Sequence, residues 1–277
     1  DEGNFSLSLS VAGVQRAVLR VERDGFAVNF RTFELTPSAD LRVDAVLAPL
    51  ETLACAAGTC ASPDGNLQIA DLDPTFSATA QIFNPTTDTE AFPGNFEDDA
   101  GNLLISGVFS YVELKDSDGN GVDTLNAEAT LSMEIPYATR SAVGDEVVGN
   151  SQIDVPLYAF DAVSGTWERE GSGVLVDGAG ALIPEDKLAD IRGGTFGGAV
   201  VARGSVDHFS YWNVDWPIES HGCIHGQIVD ENGQPANSAL VQVAGATYVG
   251  TSRPRVTSEN GIFCAEAMRS EGSDGRR

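Results

Sequence analysis

The chain has 277 residues, and 41 acidic against 16 basic side chains give it a formal net charge of −25. That balance repels phosphate backbones and anionic lipid head groups, which disfavours nucleic acid and acidic membranes as partners and suits a solvated surface, calcium or cationic partners. With 42% hydrophobic residues the chain can bury cores for two or three domains, while no window approaches the ~20 apolar residues of a membrane-spanning helix.

Read from the N-terminus, Asp1-Glu2-Gly3-Asn4 has none of the charged and apolar regions of a signal peptide, so a secreted form would have lost its signal or carry it upstream. Period-two alternation at Leu7, Leu9 and Val11, and again at Ala17, Leu19 and Val21, predicts strands with one face on a core. This first region, residues 1–62, reads as a partial N-terminal β-sandwich ending in Cys55-Ala-Ala-Gly-Thr-Cys60, with Pro63-Asp64-Gly65 as a linker or turn. In the second region, residues 63–219, turn chemistry recurs at short intervals. Asp64-Gly65-Asn66, Asp99-Ala100-Gly101-Asn102, Asp118-Gly119-Asn120-Gly121 and Ser164-Gly165 all tolerate the positive φ of tight turns.

One segment of that region reads as a helix. Pro184 suits the first helical position, Glu185 and Asp186 the positive end, Leu188 and Ile191 share a face, and Gly193-Gly194 ends it. The region closes on Asp207-His208-Phe209-Ser210-Tyr211-Trp212, with Trp216 beyond. The third, residues 220–277, continues as strands, with Val241 and Val243 alternating between the Asn232-Gly233 and Asn260-Gly261 turns. The expected fold is all-β: tandem antiparallel β-sandwich domains with one short helix near 184–192.

An even cysteine count, split into the close pair Cys55 and Cys60 and the distant pair Cys223 and Cys264, suggests two disulfides and an oxidising compartment. Neither pair has the spacing of a zinc knuckle or a thioredoxin motif. The predicted location is secreted, periplasmic or cell-surface.

Two segments invite chemistry from their residues alone. Asp116, Asp118 and Asn120 alternate oxygen ligands ahead of Gly121, the opening of a calcium loop, but Ala127 stands where the closing Glu belongs. A polar hairpin turn is the competing reading, and no other cofactor is expected. The aromatics Phe92, Trp167 and Trp212 could line a ligand or carbohydrate groove, against the plainer reading of core packing.

The third region carries Gly226-Gln227-Ile228-Val229-Asp230, Gly233-Gln234-Pro235 and Glu259-Asn260-Gly261-Ile262-Phe263. These resemble the carboxypeptidase regulatory-like (CnaB or transthyretin-like) sandwich family, over about the final fifth of the chain. The resemblance implies a supporting or adhesive module appended to other domains, and the chain stops before the family's final strand, implying a longer parent protein. A Cys223–Cys264 disulfide would join its first strand to the strand after Asn260-Gly261. His208-Phe209-Ser210 resembles the cleavage tripeptide of autoproteolytic β domains in nucleoporins and some death-domain receptor relatives. That resemblance implies attack of Ser210 on the Phe209 carbonyl with His208 as base. The preferred functional expectation is a non-enzymatic structural or adhesive protein with protein partners or self-assembly; self-cleavage and ligand binding are the alternatives.

Overall fold

The protein is described by a computed structural model covering residues 6–8, 12–13, 15–35, 43–149, 154–218, 221–245, 249–252 and 254–268. The first strands are β1 (Gln15–Val21), β2 (Asn29–Leu35), β3 (Glu51–Thr52), β4 (Ala54–Ala56), β5 (Thr59–Ala61), β6 (Leu67–Ala70) and β7 (Ser77–Phe83). The long strands β8 (Leu103–Lys115) and β9 (Thr124–Glu134) follow, then helix α1 (Tyr137–Gly149), β10 (Val155–Asp161) and β11 (Thr166–Asp177). A 3-10 turn at Glu185–Lys187 leads into α2 (Leu188–Arg192), β12 (Val200–His208) and β13 (Tyr211–Ile218). The chain continues through β14 (His221–Gln227), β15 (Leu240–Val241), β16 (Arg255–Val256) and β17 (Ile262–Met268). The fold is all-β, as expected.

One 11-stranded antiparallel sheet, ordered β3-β7-β8-β13-β10-β11-β12-β9-β6-β5-β4, organises residues 51–218. Its two edge strands are neighbours in sequence, with only Leu53 between them. Leu53 is buried and its N–H donates to the Ala78 carbonyl at 3.0 Å, so the sheet curls until its edges meet. No ladder pairs β3 with β4 among the described residues, so the two edges meet at a corner without closing the sheet into a barrel. Inside, Val108, Val112, Trp212 and Val214 of one half pack against Leu67, Ile69, Leu131 and Met133 of the other.

The domain border expected near residue 62 falls inside the β5–β6 hairpin, where Cys60 pairs with Ile69 and Ala61 with Gln68. Residues 51–62 therefore belong to the same sheet as the strands that follow.

The central strands β7-β8-β13-β10-β11 are covered on both faces. Their outer side carries Phe83, Phe109, Tyr158, Phe160, Trp167 and Tyr211, packed under Val28 and Phe30 of the β1–β2 hairpin and under Phe92 and Phe96. The predicted strand at Leu7, Leu9 and Val11 does not form at its described residue: Leu7 lies outside any strand and is exposed, and Leu9 and Val11 lie outside the described residues.

The helix near 184–192 forms with Leu188 and Ile191 buried and Gly193 as its cap, but Pro184 precedes the helix as N-cap instead of occupying its first turn. A second helix, α1, was not legible in the sequence and corrects the expectation of one. It buries Thr139, Val143 and Val147 at four-residue spacing, and Thr139 Oγ1 donates to the Gly107 carbonyl at 2.6 Å. Beyond the large sheet, β14 pairs with β17 and β15 with β16.

Candidate functional site at the His208-Phe209-Ser210 corner

Strand β12 lies between β11 and β9, whereas β13 lies between β10 and β8. Phe209-Ser210 is thus the two-residue corner at which the chain changes from one part of the sheet to the other. Main-chain bonds pin it on both sides: Phe209 N–H donates to the Asp123 carbonyl at 2.9 Å, and the Ser210 carbonyl accepts from Val112 N–H at 3.0 Å. Phe209 itself is buried in the interior cluster with Trp212 and Trp216.

The imidazole of His208 turns to the next strand. Its Nε2 lies 2.7 Å from Glu170 Oε2, its ring packs against the Trp212 indole with centroids 4.9 Å apart, and its carbonyl accepts from Trp212 Nε1 at 3.1 Å. The histidine expected to serve Ser210 is therefore engaged by Glu170.

Two irregularities of the ladder meet here. Along β10–β11, Leu157 pairs with Gly171 and Tyr158 with Arg169, leaving Glu170 as the extra residue of a bulge. Along β12–β9 the register breaks between Val206 and His208, which frees Asp207 from the regular alternation. Bulges re-aim side chains that a regular strand would send to alternate faces. As a result Glu170, Asp207 and His208 bring their ligand atoms within 4.8 Å of one another.

A second polar group, which sequence reasoning missed, lies buried beneath β13. Asp215, Asn213 and Ser106 are all fully buried; Ser106 Oγ donates to Asn213 Oδ1 at 2.8 Å, and Asn213 Nδ2 donates to Asp215 Oδ2. Burial drives the Asp215 carboxyl well above the usual carboxylate range, against the opposing pull of its Ser106 and Asn213 hydrogen bonds. Burial, together with the nearby Asp215 and Asp98, also pushes the Tyr158 phenol up to about 12. The available signal was the Ser106, Asn213 and Asp215 set of polar residues in otherwise apolar strands, with no way to see that their face is covered. Ser106 N–H donates to the Val249 carbonyl at 3.2 Å, so a loop of the third region pairs with the edge of β8 beyond the end of β7.

The calcium-like segment is a hairpin turn between β8 and β9. Asp116 Oδ1 accepts from the N–H groups of Asp118 and Asn120 at 2.9 and 2.8 Å, and Oδ2 accepts from Asn120 Nδ2 at 3.1 Å. Those bonds, that from the Asn120 side chain first, hold the Asp116 carboxyl below its ordinary range. The same device closes other turns: Asp177 accepts from Ala179 and Ala181, and Asp230 from Asn232 and Gln234.

Phe92, Trp167 and Trp212 are each 1% exposed or less, which corrects the expectation of an aromatic groove in favour of core packing. Both disulfides form, Cys55 to Cys60 and Cys223 to Cys264. The latter crosses β14 and β17 diagonally, because Cys223 pairs with Glu266 and His225 with Cys264. His225 lies near those two sulfurs, but their mutual bond removes the thiolates a metal would need. No described helix is long and apolar enough to cross a membrane.

Comparison with known proteins returns no matching family model, no matching curated protein and no matching solved structure. What the fold defines is a class: an antiparallel all-β protein with a curled central sheet and two disulfides.

Proposed function

We propose that this chain is a non-enzymatic structural or adhesive segment of an extracellular or cell-surface protein. The observation that carries this reading is the double burial of the central sheet. Phe92, Trp167, Phe209 and Trp212, the side chains best suited to bind or orient a substrate, are all spent on packing. Two cross-strand disulfides and the −25 charge support a place in an oxidising, aqueous exterior.

In this reading the terminal region acts as the supporting module that its regulatory-like resemblance implies. Protein partners or self-assembly are supported by Ile224, Val229, Leu240 and Ile262, apolar side chains exposed by 43–54% on that region.

The test is the intact mass of the protein isolated from its native source with thiols blocked at lysis. One uncut species without alkylated cysteines is expected. Alkylated cysteines would overturn the extracellular assignment, and two fragments meeting between Phe209 and Ser210 would replace the structural reading by self-cleavage.

A further inference from the structure

We propose that Glu170, Asp207 and His208 form a surface site for a divalent transition-metal cation, with Zn²⁺ as its natural probe. Two bulges create the site. In a regular strand Asp207 and His208 would point to opposite faces, and Glu170 would follow the alternation of β11. Instead both ladders slip at this point, at Arg169/Gly171 and at Val206/His208, and the slips turn three potential ligands toward one spot.

The set is chemically mixed. One imidazole nitrogen with two carboxylates suits Zn²⁺ or a similar borderline cation, whereas Ca²⁺ prefers six to eight oxygens, a number these side chains alone do not supply. The spacing is close to what coordination needs. An ion held tetrahedrally about 2.0–2.2 Å from each ligand requires the 2.7 Å gap between His208 Nε2 and Glu170 Oε2 to open by about 0.6–0.9 Å, within reach of side-chain rotation at a partly exposed site.

The imidazole is also oriented in advance, since the Trp212 indole packs against the ring at a tilt of 31° and its Nε1 holds the His208 carbonyl. Fixing a ligand's orientation before the metal arrives is what outer-shell partners do in metal sites. Electrostatics agree: among the described residues neither Glu170 nor Asp207 forms an ion pair with Lys or Arg, so the cation would meet two carboxylates whose one charged or hydrogen-bonding side-chain partner at the site is His208 itself. The side chains of Glu170 and His208 remain 37% and 25% exposed, leaving room for water to complete the coordination.

The experiment is calorimetric titration of chelator-stripped, disulfide-intact full chain with ZnCl₂. One equivalent is expected to bind, with the affinity reduced by at least about tenfold in His208→Gln and in Asp207→Asn, the loss that even an outer partner of a ligand can carry. A double variant, His221→Gln with His225→Gln, is expected to bind as the parent does, which separates this site from the other two histidines of the three in the chain. Should His208→Gln fail to fold by circular dichroism, the exposed Asp207→Asn substitution decides alone. Absence of binding up to millimolar Zn²⁺, unchanged affinity in the Asp207 variant, or loss of binding in the His221/His225 variant would each overturn the proposal.

Discussion

Tyr211 and Trp212 are consecutive in β13, yet each anchors a different core. Tyr211 Oη donates to the Val28 carbonyl at 2.8 Å under the β1–β2 hairpin, while Trp212 sits in the interior of the curled sheet. Tyr211→Phe keeps the ring in its aromatic cluster and removes only the bond to Val28. The expected cost is about 1–2 kcal/mol, because a carbonyl is left without its donor in a covered layer. Urea unfolding measures it, and native-state hydrogen exchange should show the loosening concentrated in residues 15–35.

The two faces of β13 differ in how far a local sequence period determines them. Trp212 carried core packing as its plainer reading, and the structure puts it in the core together with Val214 and Trp216 on the same face. The opposite face, Tyr211, Asn213 and Asp215, has the polar content of a half-exposed strand, but coverage by segments distant in sequence is a tertiary fact no local period records. Helix α1 escaped for a related reason. Its buried positions are the four-spaced Thr139, Val143 and Val147, while the exposed Tyr137 and the internal Gly144 blur the stripe. The Asp-to-Gly turns and both cysteine pairs were legible because their chemistry is local or restricted by residue type. At the corner, His208 stood out, but its partner Glu170 is 38 residues away and reaches it only through a bulge.

The buried Asp215 makes stability depend on pH in the sense opposite to most carboxylates. Its folded-state carboxyl keeps its proton to higher pH than the unfolded chain does. The stability contribution is thus fully present below the unfolded range, about pH 4, and declines as pH rises toward the folded value, by at most about 1.4 kcal/mol per pH unit. Asp215→Asn retains an oxygen to accept from Asn213 and removes the titration. Thermal melts at pH 5 and pH 8 should show the variant gaining on the parent as pH rises, and parallel curves would count against the buried-acid account.

Calcium is not needed to hold the β8–β9 turn, because Asp116 already satisfies the Asp118 and Asn120 amides and the Asn120 side chain. Addition of EDTA to calcium-equilibrated protein should leave the melting temperature unchanged. A drop would mean that an ion binds the folded chain and that its loss shifts the folding equilibrium.

Gly144 offers a test in which tertiary packing and helix propensity predict opposite signs. In an isolated helix Gly→Ala is stabilising by about 1 kcal/mol. Here α1 and α2 approach so closely that a Cβ on Gly144 would stand 2.5 Å from Arg192 N and 2.6 Å from its Cα. Both obstructing atoms are backbone, so the collision is relieved only by moving α2, whose Leu188 and Ile191 are seated in the interior cluster. Overpacking of this kind typically costs about 1–3 kcal/mol, so Gly144→Ala is expected to lower the urea midpoint despite its better propensity. Ser141→Ala serves as the control: on the same helix it loses the bond from Ser141 Oγ to the Arg192 carbonyl, 2.9 Å long and exposed, and meets no comparable obstruction. A Gly144→Ala protein at least as stable as its parent would mean that the two helices can separate without disturbing the core beneath them.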